Sequence, residues 1–95
     1  MSAYVIADIE VTDPAGYEEY RKQVLAVVTK YGGKFIVRGG KIDAKEGGWT
    51  PKRIVLVEFP SLAQAQKWYD SAEYAPLIKL RQKASKGRLV IVEGA

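Results

Sequence analysis

The side chains best suited to moving protons here are carboxylates, because the chain contains no histidine and no cysteine. Asp8, Glu10 and Glu58 alternate with apolar neighbours, which places them on one side of extended segments. Carboxylates gathered in a partly dry cleft have raised pKa values and act as acids or bases. Arg38 offers the complementary chemistry, a planar fork for an enolate or carboxylate. Glu58 and Asp8 are therefore the candidate catalytic residues. The plainer reading pairs Lys34 with Glu58 across two strands and leaves Asp8 and Glu10 meeting water at the rim.

Tyr17, Trp68, Tyr69, Tyr74 and Arg81 form a second group. Aromatic rings with one cationic handle line ligand pockets, and they also simply fill cores with their hydroxyls at the periphery. Together with Arg38 and Ser71 they are the candidate ligand-binding residues. Glycine pairs in Arg38-Gly39-Gly40 and Glu46-Gly47-Gly48-Trp49 allow close backbone approach to a ligand, or serve as plain connections. Neither nucleotide fingerprint, G-x-x-x-x-G-K-[ST] or G-x-G-x-x-G, occurs. Without histidine or cysteine, the commonest metal and haem ligands are missing, so no cofactor and no metal are expected.

Four strands and their helices must position these residues. Residues 3–11 alternate with period two and form the first strand. Asp13 caps and Pro14 opens a helix whose buried side carries Tyr17, Tyr20, Val24, Val27, Val28 and Tyr31, stopped by Gly32-Gly33. Residues 34–38 are the second strand, and residues 53–59 the third. Ser61 with Gln64 forms a capping box for a helix that buries Leu62, Ala65, Trp68, Tyr69 and Ala72. A further helix spans about 73–84, with Ser71 as its cap, Pro76 in its first turn, and Tyr74, Leu77, Ile78 and Arg81 on one side. Gly87 ends it, and residues 88–93 form the last strand.

The order βαββαβ implies one α+β domain over residues 1–95, a ferredoxin-like four-stranded antiparallel sheet with both crossover helices on one side. The helix-facing set is Val5, Ala7, Ile9, Val11, Phe35, Val37, Val55, Val57, Phe59, Val90 and Val92. The opposite set carries Ile6, Ile36, Ile54, Leu56, Leu89 and Ile91 at its middle and charges at its ends. A bare apolar patch of that kind exceeds what monomers usually tolerate, so this face is expected to pair with a second copy about a two-fold axis. The expected sheet has strands one and three parallel at its centre, gathering Asp8, Glu10 and Glu58 at one end, with Lys34 beside Glu58 and Arg38 at the other end.

The chain of 95 residues is 47% hydrophobic and 27% charged, proportions of a packed globular protein. Its net charge of +4 has its densest group between Lys79 and Arg88, which reads as a solvated helix face. RNA-recognition domains share the βαββαβ order but stack bases on aromatics of their open face. The third strand here offers Ile54, Leu56 and Glu58 instead, so no nucleic-acid partner is expected. No apolar run reaches the ~18 residues of a membrane span, and Asp8 and Glu10 break any secretory leader, so the expected location is cytoplasmic.

Several residues together carry a family resemblance: Tyr17, Gly33, Arg38-Gly39-Gly40, Glu46-Gly47-Gly48-Trp49, Pro51 with Arg53, Glu58-Phe59-Pro60, Trp68-Tyr69-Asp70-Ser71, Glu73-Tyr74, Leu77, Arg81 and Val92-Glu93-Gly94. The set resembles the bacterial domain-of-unknown-function family numbered thirteen-thirty, within the dimeric α+β barrel superfamily. The resemblance implies a ferredoxin-like subunit whose sheet packs on that of a second copy. That family carries no established reaction. The wider superfamily includes cofactor-independent monooxygenases, haem-degrading enzymes that rely on a histidine absent here, and muconolactone-type isomerases.

Two functions follow from these residues, beside a purely structural or protein-interaction role. One is a homodimer that binds a small anionic or aromatic metabolite between sheet and helices. The alternative is a cofactor-independent enzyme, monooxygenase- or isomerase-like, in which Glu58 or Asp8 moves a proton and an arginine stabilises the anion.

Overall fold

The computed structural model describes all of residues 1–95. The elements run β1 (Ala3–Val11), α1 (Pro14–Lys30), β2 (Lys34–Arg38), β3 (Ile54–Phe59), α2 (Leu62–Tyr69), α3 (Ala75–Ala84) and β4 (Ser85–Glu93). The strands form one sheet in the order β2-β3-β1-β4, with every neighbouring pair antiparallel. This is the ferredoxin-like α+β arrangement. No helix is long and apolar enough to cross a membrane.

Local chemistry accounts for most element boundaries. The Asp13 carboxylate accepts from the Gly16 N–H at 3.2 Å, and Pro14 occupies the first turn of α1. Ser61 Oγ accepts from the Gln64 N–H at 3.1 Å, as the capping box requires. The other half of that box is not made: the Gln64 amide donates instead to the Tyr31 carbonyl at 2.8 Å, tying α2 to the end of α1. Ser71 accepts from the Tyr74 N–H and donates to the Trp68 carbonyl, so it builds the turn between α2 and α3. Ala72 lies beyond α2 and is exposed rather than part of its buried face.

The core lies between the sheet and the helices, with Trp68, Tyr74, Phe59 and Val28 as its largest fully buried side chains. Trp68 packs against Phe59 and Tyr74 at ring-centroid distances of 5.3 and 4.2 Å.

Three expectations about the sheet are corrected. First, β1 and β3 run antiparallel, with Tyr4 opposite Glu58 and Asp8 opposite Ile54. The crossover over α1 makes β1 parallel to β2, and β3 returns between them. Second, β4 has the opposite phase. Leu89 and Ile91 pack against the core, while Val90 and Val92 are 57% and 46% exposed on the open face. All four are apolar, so alternation carried no mark of which pair turns inward. Gly87 does not end a helix: β4 begins at Ser85, and Gly87 sits in the strand opposite Ile9. A Cβ there would come within 2.6 Å of the Asp8 carbonyl oxygen, so the missing side chain permits this close pairing.

Third, β2 contains a bulge. Phe35 pairs with Val57, yet Val37 pairs with Leu56 and Arg38 with Val55. The extra residue, Ile36, reverses the alternation beyond it. Val37 therefore shares the open face with Leu56, and Arg38 turns under the helices.

Candidate functional site

The bulge decides what lines the space between sheet and helices. A narrow cleft, with room for the centres of water-sized molecules in only about 30 Å³, runs between β1, β3 and α1 and is lined also by Trp68, Tyr74 and Arg81. Its walls are mainly apolar and aromatic, with Tyr17, Tyr20, Phe35, Trp68 and Tyr74 among them. Four arginines complete the lining: Arg21, Arg38, Arg53 and Arg81. No carboxylate lines it.

Each arginine is held differently. Arg38 donates to the Arg21 carbonyl at 3.1 Å, and its guanidinium lies 4.3 Å from the Phe35 ring centre. Burial, then the like charges of Arg21 and Arg53, lower its pKa. Arg53 stacks 5.8 Å from the Tyr17 ring centre, and its Nε is buried without a partner. Gly39, at φ +75°, makes room for it, since a Cβ at that position would lie 2.1 Å from an Arg53 terminal nitrogen. Arg81 is 8% exposed and donates to the Tyr74 hydroxyl at 3.0 Å. Arg21 pairs with exposed Glu18 at 3.1 Å, whereas Arg38, Arg53 and Arg81 make no ion pair at all. Isolated cations beside apolar walls attract an anion in place of the water they lost.

At the inner end, the Tyr74 and Tyr20 hydroxyls lie 2.7 Å apart. Burial raises the pKa of both phenols, so each stays neutral and keeps its proton. Trp68 lines the same region, with its indole Nε1 buried and unpartnered.

Of the candidate ligand-binding residues, the cleft brings together Arg38, Arg81, Tyr74, Trp68 and Tyr17. Tyr69 is half-buried and borders a separate, more polar opening with Arg81, Gln82 and Ser85. Ser71 is committed to its turn and does not line the cleft. The proposed carboxylates are separated from the cleft and from each other. Glu58 is on the open face, opposite Lys34 and accepting from the Tyr4 hydroxyl at 3.2 Å. Asp8 lies four residues along β1 from Tyr4, roughly 13 Å away at strand spacing. It accepts from the Trp49 indole at 3.1 Å and pairs with Arg88 at 3.4 Å. Glu10 is exposed opposite Lys86. Antiparallel pairing is the reason these three do not form one cluster.

Sequence reasoning missed Arg53, Arg21 and Tyr20 as cleft residues. Tyr20 had a readable signal: a hydroxyl on the buried side of α1, one turn from Tyr17, needs a polar partner somewhere in the core. Arg53 precedes β3 and had none beyond its place in the resemblance.

Solved structures of the same fold were found at low identity. A protein of unknown function from Rhodopseudomonas palustris is 17% identical with a TM-score of 0.75, covering 99% of this chain and 82% of that one. SnoaB, a cofactor-independent oxygenase from Streptomyces nogalater, is 10% identical with a TM-score of 0.71, covering 99% and 93%. A protein from Bacteroides fragilis, described as dimeric, of unknown function and ferredoxin-like, is 12% identical with a TM-score of 0.65, covering 98% and 96%. At such identities the likeness is one of fold. No curated protein matches the chain. The family model, in contrast, matches residues 2–95, and the chain belongs to the family described as domain of unknown function DUF1330.

Proposed function

We propose that this protein binds a small organic anion in the cleft between sheet and helices, and does so as a homodimer joined through the open sheet face. One observation carries the binding reading: four arginines and no carboxylate line a space that is otherwise apolar and aromatic. A ligand with an apolar body and an acidic group satisfies both kinds of wall. The enzymatic alternative with Asp8 or Glu58 as base is less well supported, because neither residue lines the cleft.

The open face supports the dimer. Ile6, Val37, Leu56 and Val90 sit side by side in register across its middle, with charges toward the ends. Burying such a patch against its own copy removes apolar area from water at roughly 25 cal/mol per Å². The Bacteroides fragilis neighbour, described as dimeric, lends support to a dimer here.

Thermal-shift and calorimetric titration with a panel of aromatic and aliphatic carboxylates tests the binding. Aromatic acids should raise the melting temperature of the wild type and leave Arg38→Ala/Arg53→Ala unmoved. Equal shifts in both proteins would reject the cleft as the site. Light scattering should return twice the chain mass, and a single-chain mass at micromolar concentration would reject the dimer.

A further inference from the structure

The count of donors and acceptors in the cleft says more about its occupant. The Tyr20 and Tyr74 hydroxyls carry two protons between them, and one is consumed in the 2.7 Å contact that joins them. Arg81 Nη1 donates a further hydrogen to Tyr74, so the guanidinium fills an acceptor position there and offers none in return. One phenolic proton is therefore left over, because the further contact from Arg81 to the Tyr20 oxygen again brings a donor and no acceptor. The Trp68 indole N–H, on the ring stacked 4.2 Å from Tyr74, is a second buried donor without an acceptor. Buried polar groups in native proteins nearly always find a partner, so two idle donors on neighbouring rings call for an acceptor from outside the chain.

The other end has the same imbalance in charged form. Arg53 Nε is buried and idle, and Arg38 lies close enough for the two cations to repel. Both are partly exposed, unlike Arg81, which puts them at the cleft's opening. The cleft thus carries cationic donors at its mouth and neutral donors at its inner end. The rings of Tyr17, Phe35 and Tyr20 and the side chains of Val24 and Val57 make up much of the remaining wall.

We infer that the ligand is a flat aromatic carboxylic acid bearing a second, carbonyl-type oxygen at the end away from its carboxylate. This rests on the anion-binding reading above and adds its polarity and orientation. The carboxylate meets Arg38 and Arg53 at the mouth. The ring enters as the aromatic walls part, since the cleft itself is narrow. The carbonyl accepts from the spare phenolic proton and from the Trp68 indole. A carbonyl suits the inner end better than an ammonium or amide N–H, because every unsatisfied group identified there is a donor.

Two acids of nearly equal shape separate the possibilities: para-acetylbenzoate, which has the far acceptor, and para-isopropylbenzoate, which lacks it. Calorimetry on the full-length wild type should give roughly tenfold tighter binding of the acetyl compound, the size of one well-made hydrogen bond. The infrared carbonyl band of bound para-acetylbenzoate should move to lower wavenumber than in water-free solvent. Trp68→Phe and Tyr20→Phe/Tyr74→Phe should each reduce the preference while isopropylbenzoate still binds. Equal affinity of the two acids in the wild type, with both still dependent on Arg38, overturns this inference and leaves the anion site standing. If neither acid binds, or Arg38→Ala/Arg53→Ala binds both as well as the wild type, the anion site itself fails. The wild-type comparison decides the matter even where a core variant does not fold.

Discussion

The two sides of this sheet are built from similar residues and do opposite things with their charges. On the open side, carboxylates and donors meet each other: Glu58 with Tyr4 and across from Lys34, Asp8 with Trp49 and Arg88. Under the helices, Arg38, Arg53 and Arg81 meet only aromatic rings, phenolic hydroxyls and a backbone carbonyl. A surface that satisfies itself can be pressed against another copy at little electrostatic cost. A cavity that leaves its cations unpaired is poised for something from outside. The contrast teaches that apolar character alone does not distinguish an interface from a binding site, whereas the fate of the polar minority does.

Substitutions on the two sides should therefore fail in different ways. The largest effect is expected for Trp68→Ala, which empties the space between Phe59 and Tyr74. It should cost about 3–5 kcal/mol in urea unfolding. A loss below about 1 kcal/mol would mean that the cleft's inner wall is not part of the core. Leu56→Lys on the open side should act on association instead. It should convert the proposed dimer to single chains by light scattering while the far-ultraviolet circular dichroism stays unchanged, a change of roughly 2 kcal/mol or more in dimerisation. Retention of the dimer would move the interface elsewhere.

Gly39→Ala joins backbone strain at φ +75° to collision with Arg53. It should destabilise the fold by about 1–2 kcal/mol and weaken carboxylate binding with it. Arg38→Ala sharpens the comparison most, because it should weaken anion binding while leaving stability within about 0.5 kcal/mol of wild type or slightly raised. Removing one of several like charges that lack carboxylates relieves repulsion. A clear loss of stability would show that the arginine is structural rather than waiting for a ligand.

The smallest effect concerns the outside of the helices. Hydrogen bonds from Lys30, then Tyr31, hold the Glu73 carboxyl down at about 2. A depressed carboxyl stabilises the folded state above its unfolded value and loses that contribution as pH falls through the folded one. The contact is exposed and screened, so Glu73→Gln should flatten the acid-unfolding curve between about pH 4.5 and 2 only slightly and leave neutral stability nearly unchanged. A large loss at pH 7 would have the sign that linkage requires but would show that the contact is not screened as an exposed pair should be.

Much of the architecture was readable because sequence and structure answer to the same local chemistry. The Asp13-Pro14 start of α1, the Ser61 cap of α2 and the strong alternation of β1 leave little freedom. The candidate cleft was readable in part, through the aromatic spacing of Tyr17, Trp68 and Tyr74 with Arg81. What could not be read depended on non-local pairing. Leu89-Val90-Ile91-Val92 is apolar throughout, so only its partners on β1 choose a face. Arg38 was assigned by alternation from Lys34, which held until Ile36 was squeezed out of register by the pairing of β2 with β3. The separation of Asp8 from Glu58 likewise follows from strand direction, a property of the whole chain path.

That squeezed residue has an evolutionary reach out of proportion to its size. Relatives that lose or gain one position near Ile36 would rotate the following arginine through half a turn, out of the cavity and onto the open face. A single codon's worth of length can thus carry a cation from one side of the sheet to the other, with the scaffold and its composition almost untouched.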